Sequence, residues 1–214
     1  MTPKEKRTIE LAEEKGASNW INVLPLKEHG FVLNKGEFRD GLALRYDKSI
    51  KGLPSKCSCG QPFDITHSMN CKKGGFVHMR HDNIRNFDAN LLKLVCNDVE
   101  IEPTLQPLSG ENLMGQETNN GDDVRLDIRA RSFWRNGQSA FFDVRVTNTN
   151  SASQINKPVS KIYESHEKEK KRKYSQRIIN IEHGTFTHLF LVLMGVWVKS
   201  VEFSIKGLQK KWSK

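Results

Sequence analysis

The stretch 123–148 reads DVRLDIRARSFWRNGQSAFFDVRVTN. Val124, Leu126 and Ile128 alternate with Arg125, Asp127 and Arg129, and Phe142, Val144 and Val146 alternate with Phe141, Asp143 and Arg145. Period two predicts two strands, Asp123 to Phe133 and Ser139 to Asn148, each with one apolar face and one face carrying an acid. The turn between them decides whether the acids meet. A two-residue Asn136-Gly137 turn pairs Asp127 with Val146 and sends Asp143 to the opposite face. A three-residue Arg135-Asn136-Gly137 turn, with Gly137 left-handed, pairs Arg129 with Asp143. Asp127 and Asp143 are then diagonal neighbours on one face, their Cα atoms roughly 7–8 Å apart. In that register the two carboxylates suit one Mg²⁺, which keeps most of its waters for a phosphate and an attacking nucleophile. The plainer alternative is two charges facing solvent on a half-exposed hairpin.

Downstream, a helix from about Val159 to Ile181 carries Val159, Tyr163, Tyr174, Ile178 and Ile181 in a stripe about 100° wide, and Lys170 falls inside it. A lysine on the face turned to a sheet needs a carboxylate or a wet cleft. Opposite a metal-bound acid pair it can support the attacking water or the developing charge. Most of the charges from Glu167 to Lys173 read as solvated surface. Tyr174 either orients Lys170 or packs in the core. A strand follows at about Thr187 to Leu193, overlapping an apolar run Leu189 to Val198 read as a buried strand, and then a weak helix ending near Trp212. Upstream, Ile84, Phe87, Leu91, Leu94 and Val95 fall at helical spacing. From Asp98 to Leu108 the chain reads as strand, and 109–122 as loop. The order over 76–214 is αβββαβ, a mixed α/β domain.

Before it, residues 51–75 are poor in apolar side chains and need a clip. Cys57, Cys59, His67 and Cys71 supply three thiolates and an imidazole, the donor set of tetrahedral Zn²⁺. Chance cysteines in a polar loop are the alternative. Cys96 reads as a small core residue. Residues 1–50 form a segment helical at both ends, with Asn34 and Glu37 spaced as a capping box, and Trp20 to Pro25 reads as extended. The 214 residues carry a formal charge of +9, which attracts polyanions, nucleic acid before membrane. The run from Leu189 is too short to cross about 30 Å of hydrocarbon. Met1 to Lys15 lacks the apolar core of a signal peptide, so the expected compartment is intracellular and reducing, with cysteines as thiols or metal ligands.

Together, Cys57-x-Cys59-x7-His67-x3-Cys71, Arg125-Leu126-Asp127, Asp143-Val144-Arg145-Val146 and Lys170-x-x-Lys173-Tyr174 resemble the restriction-like endonuclease of site-specific non-LTR retrotransposons. The stretch Trp20 to Tyr46 is similar to the connector after their reverse transcriptase, and Arg80-His81-Asp82-Asn83 to the helix after their knuckle. The resemblance runs over about residues 17 to 193. It implies a restriction-endonuclease-like PD-(D/E)XK fold, a nuclear setting, and the C-terminal region of such an element. Leu126 stands where the family usually has proline, the gap from Asp127 to Asp143 is long, and Arg145 replaces the lysine of Asp/Glu-x-Lys. A guanidinium is no base at neutral pH, so the lysine has to be Lys170.

These readings give an Mg²⁺-dependent endonuclease that nicks DNA. Asp127 and Asp143 hold the metal, Lys170 and Tyr174 complete the catalytic set, and Zn²⁺ is structural at the knuckle; RNA is the other candidate ligand. The alternatives are a catalytically silent nucleic-acid-binding remnant and a domain whose basic face meets an acidic protein. Roles for His78, His81 and Asp82 stay open.

Overall fold

The computed structural model describes residues 1–14, 17–22, 24, 26–27, 32–73, 76–106 and 125–192. They form two compact units, one built mainly from Met1–Arg80 and Val146–Tyr163, the other from His81–Arg145 and Glu164–Leu189. The elements in chain order are α1 (Pro3–Glu13), α2 (Asn19–Asn22), α3 (Lys35–Arg45), α4 (Ile65–Asn70), α5 (Phe76–Lys93), β1 (Val99–Ile101), β2 (Ile128–Arg131), β3 (Ser139–Thr147), α6 (Val159–Asn180) and β4 (Thr185–Val192). From α5 onward the order is αβββαβ, as the hydrophobic periods require. The expected loop 109–122, the end of the apolar run past Val192 and the terminal helix lie outside the described residues.

In the first unit, Thr2 and Glu5 close a capping box on α1 with Pro3 opening the helix. Asn34 and Glu37 do the same on α3, as their spacing predicts. Leu11, Ala17, Val159, Ile162 and Phe190 form its core cluster. Arg45 is buried and donates to the carbonyls of Ala17 and Ala12 at 2.5 and 2.9 Å, which satisfies polar groups between α1 and α2. Trp20 lies in a short helix rather than an extended piece. Its ring packs edge-on to Phe38 at 5.8 Å and covers Gly41, where a Cβ would meet the indole at 3.2 Å. Seating the indole on α3 outweighs the extended preference of residues before Pro25.

In the second unit the sheet order is β1-β2-β3-β4, with β1 and β3 both antiparallel to β2. Strand β1 ends at Ile101, because Glu102 turns left-handed at φ 54°, and among the described residues the pairing continues only through a bridge from Thr104 to Arg125; the expected end at Leu108 lies outside them. Strand β2 likewise starts late and ends at Ser132, φ 65°. Its register with β3 pairs Ile128 with Phe142, Arg129 with Phe141 and Arg131 with Ser139. Neither short turn is therefore present. Residues 132–138 make the connection. Ser132 N–H donates to Gln138 O at 2.8 Å, and Gly137 N–H, at φ 78°, to Ser132 Oγ at 2.9 Å. A left-handed serine braced by its own hydroxyl terminates the ladder earlier than Asn136-Gly137 would.

Strand β3 corrects the half-exposed hairpin. Ala140 through Val144 are all buried, so both faces of this interior strand are covered. On one face, Tyr174 and Ile178 of α6 pack with Phe141, Leu126 and Leu105, and Phe186 of β4 closes the cluster. Each such side chain contributes about 1.5–3 kcal/mol by burial. Gly184 is required where α6 gives way to β4, since a Cβ there would stand 2.8 Å from both the Phe141 ring and Ser139 O. The buried face of α5 is Asp88, Ala89 and Leu92, followed by Cys96, which lies beyond the helix end. Phe87 and Leu94, expected inward, are 47% and 70% exposed, so the stripe is rotated from the one their spacing suggests.

Candidate active site and metal centre

The knuckle lies in the first unit. A bridge between Lys56 and Pro62 closes a tight turn in which Gly60, φ 89°, donates its N–H to Cys57 O at 2.8 Å. That turn presents Cys57 and Cys59. Asp64 caps α4 by accepting His67 N–H at 2.6 Å, which sets the helix that carries His67. Cys71 ends α4 with its own N–H on His67 O, 2.8 Å. The four ligand atoms lie within 4.8 Å of one another. Cys57 Sγ is 3.7 Å from Cys71 Sγ, and Cys59 Sγ is 3.2 Å from His67 Nε2. A tetrahedral Zn²⁺ with its usual bond lengths separates two sulfurs by about 3.8 Å and a sulfur from a nitrogen by about 3.6 Å. The cluster can hold a metal such as zinc. Hydrogen bonds from the Cys59 backbone and from His67 draw the Cys57 thiol down to about 6, whereas burial pushes the Cys71 thiol up. One thiolate is thus preformed and a metal would complete the deprotonation.

The second cluster sits in the second unit, where β3, α5, α6 and β4 supply one side chain each and Asp127, the residue just before β2, supplies another. Continued by one residue, the β2–β3 register would set Asp127 opposite Asp143, but the ladder changes character there. Asp127 N–H donates to Phe142 O at 3.1 Å, and Asp127 Oδ2 accepts Val144 N–H at 2.5 Å. The carboxylate has replaced a ladder carbonyl and is fixed by it. His81 of α5 holds the other oxygen: its Nε2 is 3.4 Å from Asp127 Oδ1 and 3.1 Å from Val144 O. The Asp127 hydrogen bond raises His81 to about 9 against the opposing effect of burial, so the imidazolium donates at neutral pH.

Asp143 is 4% exposed and accepts Lys170 Nζ at 2.8 Å on Oδ1. Burial pushes its carboxyl above the ordinary value of 3.8. Lys170 pulls the other way, while the Asp127 charge adds to the rise. The two acids therefore lie close enough to oppose each other's ionisation. Asp143 Oδ2 is buried and accepts no hydrogen bond among the described residues, with His188 Nε2 of β4 3.6 Å away. Burial, with Lys170 and Arg145 next in effect, lowers His188 to about 4 and keeps it neutral. Arg145 is engaged elsewhere, 2.9 Å from Glu169, so the lysine of this cluster is Lys170. Tyr174 is in the core, 5% exposed, and its ring stands 5.4 Å from Lys170 Nζ, which joins both readings of that residue.

The expected residues Asp127, Asp143, Lys170 and Tyr174 are thus brought together, as are Cys57, Cys59, His67 and Cys71. The sequence missed His188 and left His81 without a role. The signal for His188 was an ionisable side chain inside an apolar strand. No protein-family model matches the chain, and no curated protein sequence matches it. No helix among the described residues is long and apolar enough to cross a membrane.

Proposed function

We propose that the chain is an Mg²⁺-dependent DNA endonuclease domain of the restriction-like type found in site-specific non-LTR retrotransposons, cutting one strand at a time. The observation that carries this reading is the convergence of Asp127 at the entry to β2, Asp143 on β3 and Lys170 on the facing helix. Two carboxylates beside a lysine ammonium match what phosphodiester hydrolysis needs. Hard oxygen donors suit Mg²⁺, and the buried Asp143 Oδ2 is a lone pair open to a cation. When bound, Mg²⁺ supplies Lewis-acid polarisation of the scissile phosphate. Asp127, locked by Val144 N–H and His81, and Asp143, backed by Lys170, would hold it. Lys170, 20% exposed, stands at the edge of the cluster, where it stabilises negative charge growing on the phosphate. Chromosomal DNA as substrate makes the nucleus the site of action. The αβββαβ order supports a restriction-endonuclease-like fold, and a zinc-bound knuckle would stiffen the apolar-poor segment before it.

A second reading, the catalytically silent nucleic-acid-binding remnant, draws on one feature: both Asp127 oxygens and one of Asp143 are already engaged within the protein. Supercoiled-plasmid nicking separates the two. Nicking that needs Mg²⁺ and disappears in Asp143→Ala is the expected result. DNA retention without nicking under any divalent metal would leave only the silent remnant.

A further inference from the structure

The connection between β2 and β3 is a rigid, cationic, aromatic projection. Its base is clamped: Ser132 N–H donates to Gln138 O, Gly137 N–H to Ser132 Oγ, Gln138 N–H to Arg135 O at 3.2 Å and Gln138 Nε2 to His183 O at 3.0 Å. Phe133, 3% exposed, anchors it from below, packed edge-on to Phe142 at 5.4 Å. Trp134 stands edge-on to Phe133 at 4.6 Å and remains 37% exposed. Arg131, Arg135 and Asn136 are exposed around it, and no carboxylate among the described residues pairs with either arginine. The other β2 arginine in the described span behaves differently: Arg129 lies 3.0 Å from Glu100 and 3.5 Å from Asp98. The two tip arginines, Arg131 and Arg135, have no such acidic neighbour among the described residues.

The geometry points to this tip as a duplex-binding element, in which Arg131 and Arg135 contact backbone phosphates and Trp134 packs on a sugar or an exposed base face. Duplex DNA as the ligand rests on the nuclease reading above; the cationic tip does not. Arg131, the last residue of β2, lies four residues beyond Asp127, roughly 13 Å at about 3.3 Å per residue. The tip extends further, so it engages phosphates about five base pairs from the acid pair at the rise of about 3.4 Å per pair. A clamped loop loses little entropy on binding, whereas long flexible lysines would lose more. The contacts fix where the duplex lies without reading its sequence.

The test uses the whole zinc-loaded chain, a short fluorescein-labelled duplex and anisotropy without Mg²⁺ across a salt series. In Arg131→Gln/Arg135→Gln the slope of log affinity against log salt is expected to fall by about two, since each phosphate contact contributes about 0.9. Trp134→Ala is expected to weaken binding several-fold with the slope unchanged. The arginine variant changes exposed side chains and keeps the unfolding midpoint, whereas Trp134→Ala also gives up the packing on Phe133, so its binding is compared only at a temperature where its circular dichroism matches the parent's. An unaltered slope in the double variant overturns the inference while leaving nicking, and so the nuclease reading, standing. A reduced slope in a chain that never nicks sustains the tip and sinks the nuclease. Absence of any duplex binding by the parent chain overturns both. If the double variant loses binding to polyglutamate but keeps it to the duplex, the tip serves an acidic protein and the inference fails.

Discussion

Removing the ammonium from the buried pair is the most direct probe of the second unit's interior. In Lys170→Met the aliphatic stem survives and Asp143, 5% exposed on its side chain, loses the cation 2.8 Å away. Stranding one member of a buried pair costs about 3–5 kcal/mol. Here Lys170 keeps 20% exposure, and Asp143 can take up a proton, so about 2–3 kcal/mol at pH 7 is the expected loss. Burial already holds the folded carboxyl above 3.8, and the substitution raises it further. A carboxyl raised on folding stabilises the fold below its unfolded value and loses that contribution as pH rises through its folded value. The gap between Lys170→Met and the parent should therefore be small at and below pH 4 and widen as pH rises. Asp143→Leu/Lys170→Met removes both charges and should recover most of the loss, giving a coupling of about 2 kcal/mol in the double-mutant cycle. Urea unfolding followed by circular dichroism, without added divalent metal, measures all four corners. A single variant within about 0.5 kcal/mol of the parent at pH 7, or a gap that widens toward acid, would refute the buried-pair account.

Cys59→Ser or His67→Ala should abolish stoichiometric zinc in the purified chain, read by elemental analysis, and affinity in the parent should fall as pH is lowered, more steeply below about 6, where Cys57 also takes its proton. His81, raised to about 9, contributes stability that is complete below 6.5 and lost as pH climbs through 9. His81→Asn should flatten that alkaline decline by about 1–2 kcal/mol in urea titrations at pH 7 and 10. Gly184→Ala forces a Cβ against the Phe141 ring and Ser139 O, and a loss of about 1–3 kcal/mol in the same assay is expected.

The order of elements was legible because hydrophobic period survives burial: α6 and β3 stand where period 3.6 and period two put them, and Asn34-x-x-Glu37 caps α3 as its spacing requires. The knuckle was legible because its residue types have few other uses in so polar a segment. What sequence could not fix was geometry set by a single backbone dihedral. Ser132 at φ 65° ends β2 where no glycine announces it, and this moves the register from the two short-turn pairings to one that brings Asp127 toward Asp143 more directly. Local turn preference placed the reversal at Asn136-Gly137. Closing it at Ser132 instead buries Phe133 on Phe142, a tertiary gain that a turn rule does not contain.

The same limit explains which site residues escaped notice. Asp127 and Asp143 sit on alternating strands and Lys170 inside an apolar stripe, so each breaks a pattern and draws attention. His81 breaks none, because it lies on a polar stretch of α5, and its use depends on Val144 O and Asp127 arriving from another part of the chain. A carboxylate that takes a strand's N–H in place of a carbonyl, as Asp127 does with Val144, is likewise invisible until the strands are paired. That replacement ties the acid's position to the ladder itself. Any change that slips β2 against β3 then displaces Asp127 together with Val144 O, the second anchor of His81. Stability of the hairpin and integrity of the acid cluster are in this way one property. Tip variants that touch only exposed side chains separate from both.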